Sequence, residues 1–192
     1  MNAALRAKAI IVDPAREWPA IAREAGDPAY LLSRYVAVLA VIPAAASFVG
    51  ACLIGVVVPG MGVARAPLAD GLFGAVFGYV AICLIVLILA LTVYLAAPSF
   101  GGRRDFDSAF KLAAYSFTPV CLAGICLILP GLRFLTLTGF YGAYLLWLGL
   151  PPLVQLPRRN ALRLAALVTV CAFALASLAA TAQRTMFGTP GL

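Results

Sequence analysis

Residues Leu72 to Ala97 read LFGAVFGYVAICLIVLILALTVYLAA, a continuous apolar run without a single Asp, Glu, Lys or Arg. A helix rises about 1.5 Å per residue, so about 20 apolar residues cross a hydrocarbon core about 30 Å thick, and this run exceeds that length. Inside lipid, only helices and closed barrels satisfy every backbone N–H and C=O. Barrel strands alternate apolar and polar residues, whereas this run is apolar throughout, so it predicts a membrane-spanning α-helix.

Four further apolar runs flank it: Tyr35 to Val58, Leu112 to Leu129, Phe134 to Leu150 and Leu162 to Ala180, uncharged apart from Arg163 at the very start of the last. The fold expected from them is all-α, a polytopic membrane protein of five transmembrane helices. The Leu112 and Phe134 runs are the shortest, and a single long buried hairpin is their alternative. The chain divides into a cytoplasmic N-terminal segment (1–34), the helical membrane domain (35–181) and a short extracytoplasmic tail (182–192). Composition agrees, with 64% apolar and 11% charged residues in a chain of 192; soluble domains carry about 45–50% and about 25%. Charges scattered from Asp13 to Asp27 interrupt any apolar core near the N-terminus, so no cleaved secretory signal is expected there.

The net charge of +7 does not point to nucleic acid, because the basic residues alternate by loop. Arg6, Lys8, Arg16, Arg23 and Arg34 precede the first run. Arg103, Arg104 and Lys111 lie between the second and third, and Arg158, Arg159 and Arg163 between the fourth and fifth. Only Arg65, Arg133 and Arg184 fall on the other side. Short basic loops stay in the cytoplasm, which predicts the N-terminus inside and the C-terminus outside. Tyr35, Tyr94, Tyr115 and Trp147 fall at the cytoplasmic headgroup level of that topology. A basic face attracts anionic lipid headgroups at about 1 kcal/mol per residue near the surface, so the bilayer itself is the first expected partner.

Residues 13–26 read as a short amphipathic helix on the cytoplasmic surface, with Trp18, Ile21, Ala22 and Ala25 on one face. Pro19 disfavours a helical Trp18, which places the regular start at Pro19 and the stop at Gly26. Asp27-Pro28 then caps and opens the helix of the first run. Pro43 and Pro119 are expected to kink the first and third spans, with the Ser116 and Thr118 hydroxyls satisfying freed carbonyls. Pro130-Gly131 signals a turn with Arg133 at its tip. Gly74 and Gly78, and Ala172, Ala176 and Ala180, give small residues at four-residue spacing. That spacing suits internal packing or a dimer face, and internal packing is favoured.

Catalytic chemistry is not expected. The chain has no histidine, its five cysteines all lie within apolar runs without metal-ligand spacing, and its two lysines, Lys8 and Lys111, lie outside the bilayer core. No cofactor or metal is implied.

The most distinctive stretch is Pro98-Ser-Phe-Gly101-Gly102-Arg-Arg-Asp105-Phe106-Asp107, followed by Phe110 to Pro119. The glycine pair permits a tight turn, Asp105 or Asp107 can cap the next helix, and Phe106 and Phe110 would insert into the interface. No Gly-Lys-Ser/Thr follows, so the loop is not read as a phosphate cradle. Together with the Trp18 segment, the Ala114-Tyr115-Ser116 and Thr118-Pro119 motifs and the stretch from Tyr141 to Gly149-Leu150, it resembles the Yip family of Ypt/Rab-interacting membrane proteins, in its bacterial branch. The resemblance spans Asp13 to Leu178 and implies five spans, a cytoplasmic N-terminus and a prokaryotic cytoplasmic membrane. The Asp-Leu-Tyr-Gly-Pro run and the longer soluble N-terminal region of eukaryotic members are lacking, so Rab binding does not follow.

The expected role is a non-enzymatic protein that organises membrane or recruits a protein partner through its cytoplasmic face. The interaction residues expected are Trp18, Gly101, Gly102, Phe106, Phe110 and Tyr115. The alternative is a carrier or permease for a neutral or lipidic substrate along the helices broken at Pro43 and Pro119. No Asp, Glu, Lys or Arg lies near the middle of a span to couple ions.

Overall fold

The computed structural model describes residues 3–58, 62–129 and 139–187. Among them are helices α1 (Ala3–Val12) and α2 (Pro14–Arg23), then α3 (Pro28–Ile54), α4 (Leu68–Phe100) and α5 (Phe106–Ile128). The short α6 (Tyr141–Val154) and the long α7 (Arg158–Phe187) complete the bundle. Strands β1 (Val56–Val58) and β2 (Gly62–Ala64) form one antiparallel ladder between α3 and α4, pairing Val57 with Val63.

The helix starts follow local chemistry. Asp27 accepts from the Tyr30 N–H at 3.0 Å and Pro28 occupies the first turn of α3. Asp13 caps α2 in the same way, with Pro14 in the first turn. The regular helix therefore begins at Pro14 and not at Pro19, which lies inside it. Burial of Trp18 and Ile21 holds the turn around Pro19 helical against the steric preference of its predecessor. The stop also comes earlier than Gly26: α2 ends at Arg23, and Glu24 is extended.

Four helices, α3, α4, α5 and α7, are long and apolar enough to cross a membrane. The helix over the fourth expected run is not one of them. α6 has 14 residues, about 21 Å at 1.5 Å each, and ends where Gln155 turns to a φ of 54°. The Pro130-Gly131 turn, Arg133 and residues 134–138 of that run lie outside the described residues.

α4 packs against α3, α5 and α7, while α5 also packs against α3 and α6. Val86, Leu89 and Val93 of α4 meet Leu112 of α5, Leu145 and Leu150 of α6, and Leu164 and Val168 of α7 in one buried cluster. The opposite face of α4 is no less apolar: Val76, Val80, Leu84 and Leu91 are exposed, as are Val170 and Leu178 of α7. A bundle apolar both inside and outside is solvated by lipid, and the chain is an integral membrane protein. Gly74 accepts at its carbonyl from Gln183 Nε2 at 3.1 Å, tying α4 to α7, and Ala172 packs on the core. Ala176 and Ala180 remain exposed.

The chain ends of these helices sort into two groups. Lys111 bonds to the Ile21 and Glu24 carbonyls, the Arg103 N–H donates to Val154 O at 2.8 Å, and Asn160 Nδ2 to Phe100 O at 2.9 Å. Residues 21–34, 100–111 and 154–163 thus gather at one end, which carries most of the basic residues. The β hairpin, the start of α4 and the end of α7 form the other.

The N-terminal helices do not lie apart from this bundle. α2 packs on α6, and its Trp18 is 1% exposed. Gly149 makes that approach possible, because a Cβ there would sit 2.7 Å from Trp18 Cε2 and 2.6 Å from Leu112 Cδ1. Gly149→Val is expected to destabilise the protein by about 1–3 kcal/mol through overpacking, read as a lower Tm in detergent and new proteolytic cleavage between α2 and α3. Gly78→Ala, whose Cβ would meet nothing nearer than 3.8 Å, serves as the neutral control.

Candidate functional site

The basic end is organised around Tyr115. Trp18 meets its ring edge-on at a centroid distance of 6.4 Å, and Tyr35 does so at 4.8 Å. Edge-to-face pairs of this kind contribute about 0.5–1.5 kcal/mol beyond their area burial. The Tyr35 and Thr118 hydroxyls share a hydrogen bond of 2.7 Å, one residue before Pro119. Pro119 stands in the first turn of the segment Thr118–Ala123, which follows the break of α5 at Phe117. Pro43 of α3 packs against Gly124, just beyond that segment.

Arg6 reaches the same cluster from α1. It is 5% exposed, donates to Glu17 at 2.8 Å and to Glu24, and stands 6.0 Å from the Tyr115 ring centroid. Burial by itself would lower its pKa, but the bonds and charges of Glu24 and Glu17 outweigh it and hold the guanidinium above its ordinary value. Arg6 therefore ties α1 to both ends of α2.

The residues expected to contact partners divide in two. Trp18, Phe110 and Tyr115 are buried inside the bundle. They hold helices together, since the start of α5 is covered by the segment running from α2 into α3. Phe106 is half-buried, edge-on to Tyr94 at 5.8 Å and 6.1 Å from Phe110. The neighbouring Arg104 is exposed and lies 4.7 Å over the Tyr94 ring. Gly101, at a φ of 83°, closes the end of α4, and the Gly102 N–H donates to Ala97 O at 2.8 Å. Asp105 supplies the cap of α5. Thr118 pairs with Tyr35 instead of a backbone carbonyl, and Ser116 Oγ is buried without a partner among the described residues.

The sequence read Tyr35 as a headgroup-level aromatic and Arg6 and Lys111 as topology-setting cations, and placed none of the three in a site. Nothing in it links Arg6 to carboxylates 11 and 18 positions on, and Lys111 looks like an ordinary topology-setting cation. Lys111 is in fact 5% exposed. With Arg6, Glu24, Asp27, Tyr30 and Arg34 it lines a cavity of about 440 Å³. A second, apolar cavity of about 230 Å³ lies among α4, α5, α6 and α7, lined in part by Leu89, Ser116, Val120, Leu146 and Phe173. Among the described residues no group of three or more metal-ligating side chains is present.

A family model described as the Yip1 domain matches residues 8–180. The chain is also similar to inner membrane protein YohC of Escherichia coli strain K12, with 26% identity over 153 residues, 78% of each chain, and equally to YohC of strain O6:H1. No solved structure matches it.

The Tyr35–Thr118 bond links α3 to α5 beside the Tyr35–Tyr115 ring contact, and its worth is measurable by a double-mutant cycle. Tyr35→Phe and Thr118→Val are each expected to lower stability by about 1 kcal/mol, with the double variant losing less than their sum. Additive losses in detergent unfolding would show that the two hydroxyls are not coupled.

Proposed function

The chain belongs to the Yip1 domain family, and from its geometry we propose that it is a non-enzymatic membrane protein that organises lipid or recruits a partner through the cytoplasmic end of its bundle. The observation that carries this reading is the gathering of the loops with most of the basic residues at one end, closed over by α1 and α2. The positive-inside bias assigns that end to the cytoplasm. The similarity to an inner membrane protein supports the cytoplasmic membrane of a prokaryote as its location.

In this reading the contact surface is the exposed part of the loop from Gly101 to Asp107, with Arg104 and the outer edge of Phe106, and the exposed polar face of α2. Trp18, Phe110 and Tyr115 act from beneath by fixing that surface to the bundle. Five crossings, with α6 counted as the fourth, fit an inside N-terminus and an outside C-terminus.

The apolar cavity supports the second reading, a carrier of neutral or lipidic cargo. Its walls come from four helices, and Ser116 and Thr169 are the hydroxyl-bearing residues among an otherwise apolar lining.

Two experiments test these assignments. Single cysteines replacing Arg104 and Arg184 are expected to react with an impermeant maleimide from the cytoplasmic and the external side respectively; the reverse pattern overturns the orientation. A photo-cross-linker at Arg104 is expected to yield discrete protein adducts or adducts enriched in anionic lipid. Adducts that mirror bulk lipid composition, combined with solute uptake abolished by Ala143→Phe in the apolar cavity, would favour the carrier.

A further inference from the structure

The cavity beside Lys111 has the chemistry of a built site. Lys111 is almost wholly buried and donates to Ile21 O at 3.3 Å and to Glu24 O. An ammonium carries three donors, so among the described residues one remains. Among the described residues no carboxylate lies within ion-pairing distance of it, and even Asp107, one helical turn earlier, is outside that range. A buried charge without a counter-ion is costly, and an entering anion relieves that cost. Arg34 adds a second cation from the exposed rim.

The lining is not simply basic. Glu24, bound to Arg6, and Asp27, capping α3, face the same space. A dianion would meet these carboxylates, whereas a ligand carrying a phosphate and an ammonium matches both signs. The wall also changes character along one stripe of α3 and its cap, from Asp27 through Leu31 and Arg34 to Val38. These positions share a helical face over about 16 Å. Val38 is 55% exposed, on the outer surface of a helix long enough to cross the membrane. The cavity thus passes from charged residues to a lipid-facing one, which suits a headgroup whose chains stay in the bilayer.

We propose that this cavity binds the headgroup of a phospholipid bearing a phosphate and a primary ammonium, the phosphate on Lys111 and Arg34 and the ammonium beside Asp27 and Glu24. It deepens the lipid-organising reading above and rests on it for its setting. The site itself does not depend on which leaflet it faces.

The test is native mass spectrometry and thermal melting of the purified full chain with phosphatidylethanolamine, phosphatidylcholine or phosphatidylglycerol, and with free phosphoethanolamine as competitor. Phosphatidylethanolamine is expected to be retained most and to raise Tm most, since phosphatidylcholine lacks N–H donors and phosphatidylglycerol lacks the cation. Lys111→Gln is expected to weaken retention about tenfold or more, and Arg34→Gln several-fold, as loss of charge-assisted bonds predicts. Arg16→Gln removes an exposed charge that does not line the cavity and should change nothing. If Lys111→Gln fails to fold, the exposed Arg34 decides the matter. Equal retention of the three lipids, or wild-type retention by Arg34→Gln, overturns the site. Displacement by free phosphoethanolamine at the concentration of the lipid overturns the lipid as its source. External labelling at position 104 alongside intact lipid selectivity would fail the cytoplasmic reading while leaving the site standing.

Discussion

The burial of Trp18 against Gly149 is the contact on which the basic end depends. It brings α2 within van der Waals range of α6 and sets Trp18 on Tyr115. Removing a buried indole of this size costs about 3–5 kcal/mol in a typical core. Its Nε1–H has no partner among the described residues, so the position forgoes a hydrogen bond for the sake of packing. Once Trp18 is seated, the C-terminal carbonyls of α2 fall beside Lys111, and Glu17 and Glu24 fall beside Arg6.

Two buried cations result, and they are treated differently. Arg6 is compensated by two carboxylates, Glu17 half-buried and Glu24 exposed. Lys111 is compensated by backbone carbonyls at the C-terminal end of α2, where the helix dipole is negative. That is a weaker form of neutralisation. It leaves Lys111 the group at this end best disposed toward an added anion.

The interior of the bundle shows a similar economy with polar atoms. α5 breaks at Phe117 because Pro119 lacks an N–H and favours the first turn of a new segment. Thr118 at the break is satisfied by Tyr35, so the irregularity in α5 is held by α3. α3 itself takes wider, π-helical turns at Leu32–Val36 and Val49–Ile54, on either side of Pro43. Ser116, one residue before the break, has no hydroxyl partner among the described residues and lies beside the apolar cavity. The two cavities consequently lie at neighbouring positions on α5, one polar at Tyr115 and one apolar at Ser116.

The sequence by itself determined the lipid environment, the all-α class, the cap at Asp27, a choice of Asp105 or Asp107 for the cap of α5, and the family resemblance. These rest on local pattern: run length, charge exclusion and short-range hydrogen bonding. It also drew attention to Trp18, Phe110 and Tyr115, but amphipathic spacing cannot tell a face turned to lipid from one turned to another helix. Only the tertiary structure decided that α2 folds inward, because that depends on an absent side chain at Gly149, 131 positions away. It likewise decided the pairing of Arg6 with Glu17 and Glu24, the seating of Lys111 on backbone carbonyls and the limit of α6 at Gln155. Each is a long-range or stereochemical outcome that hydropathy and charge counts do not encode.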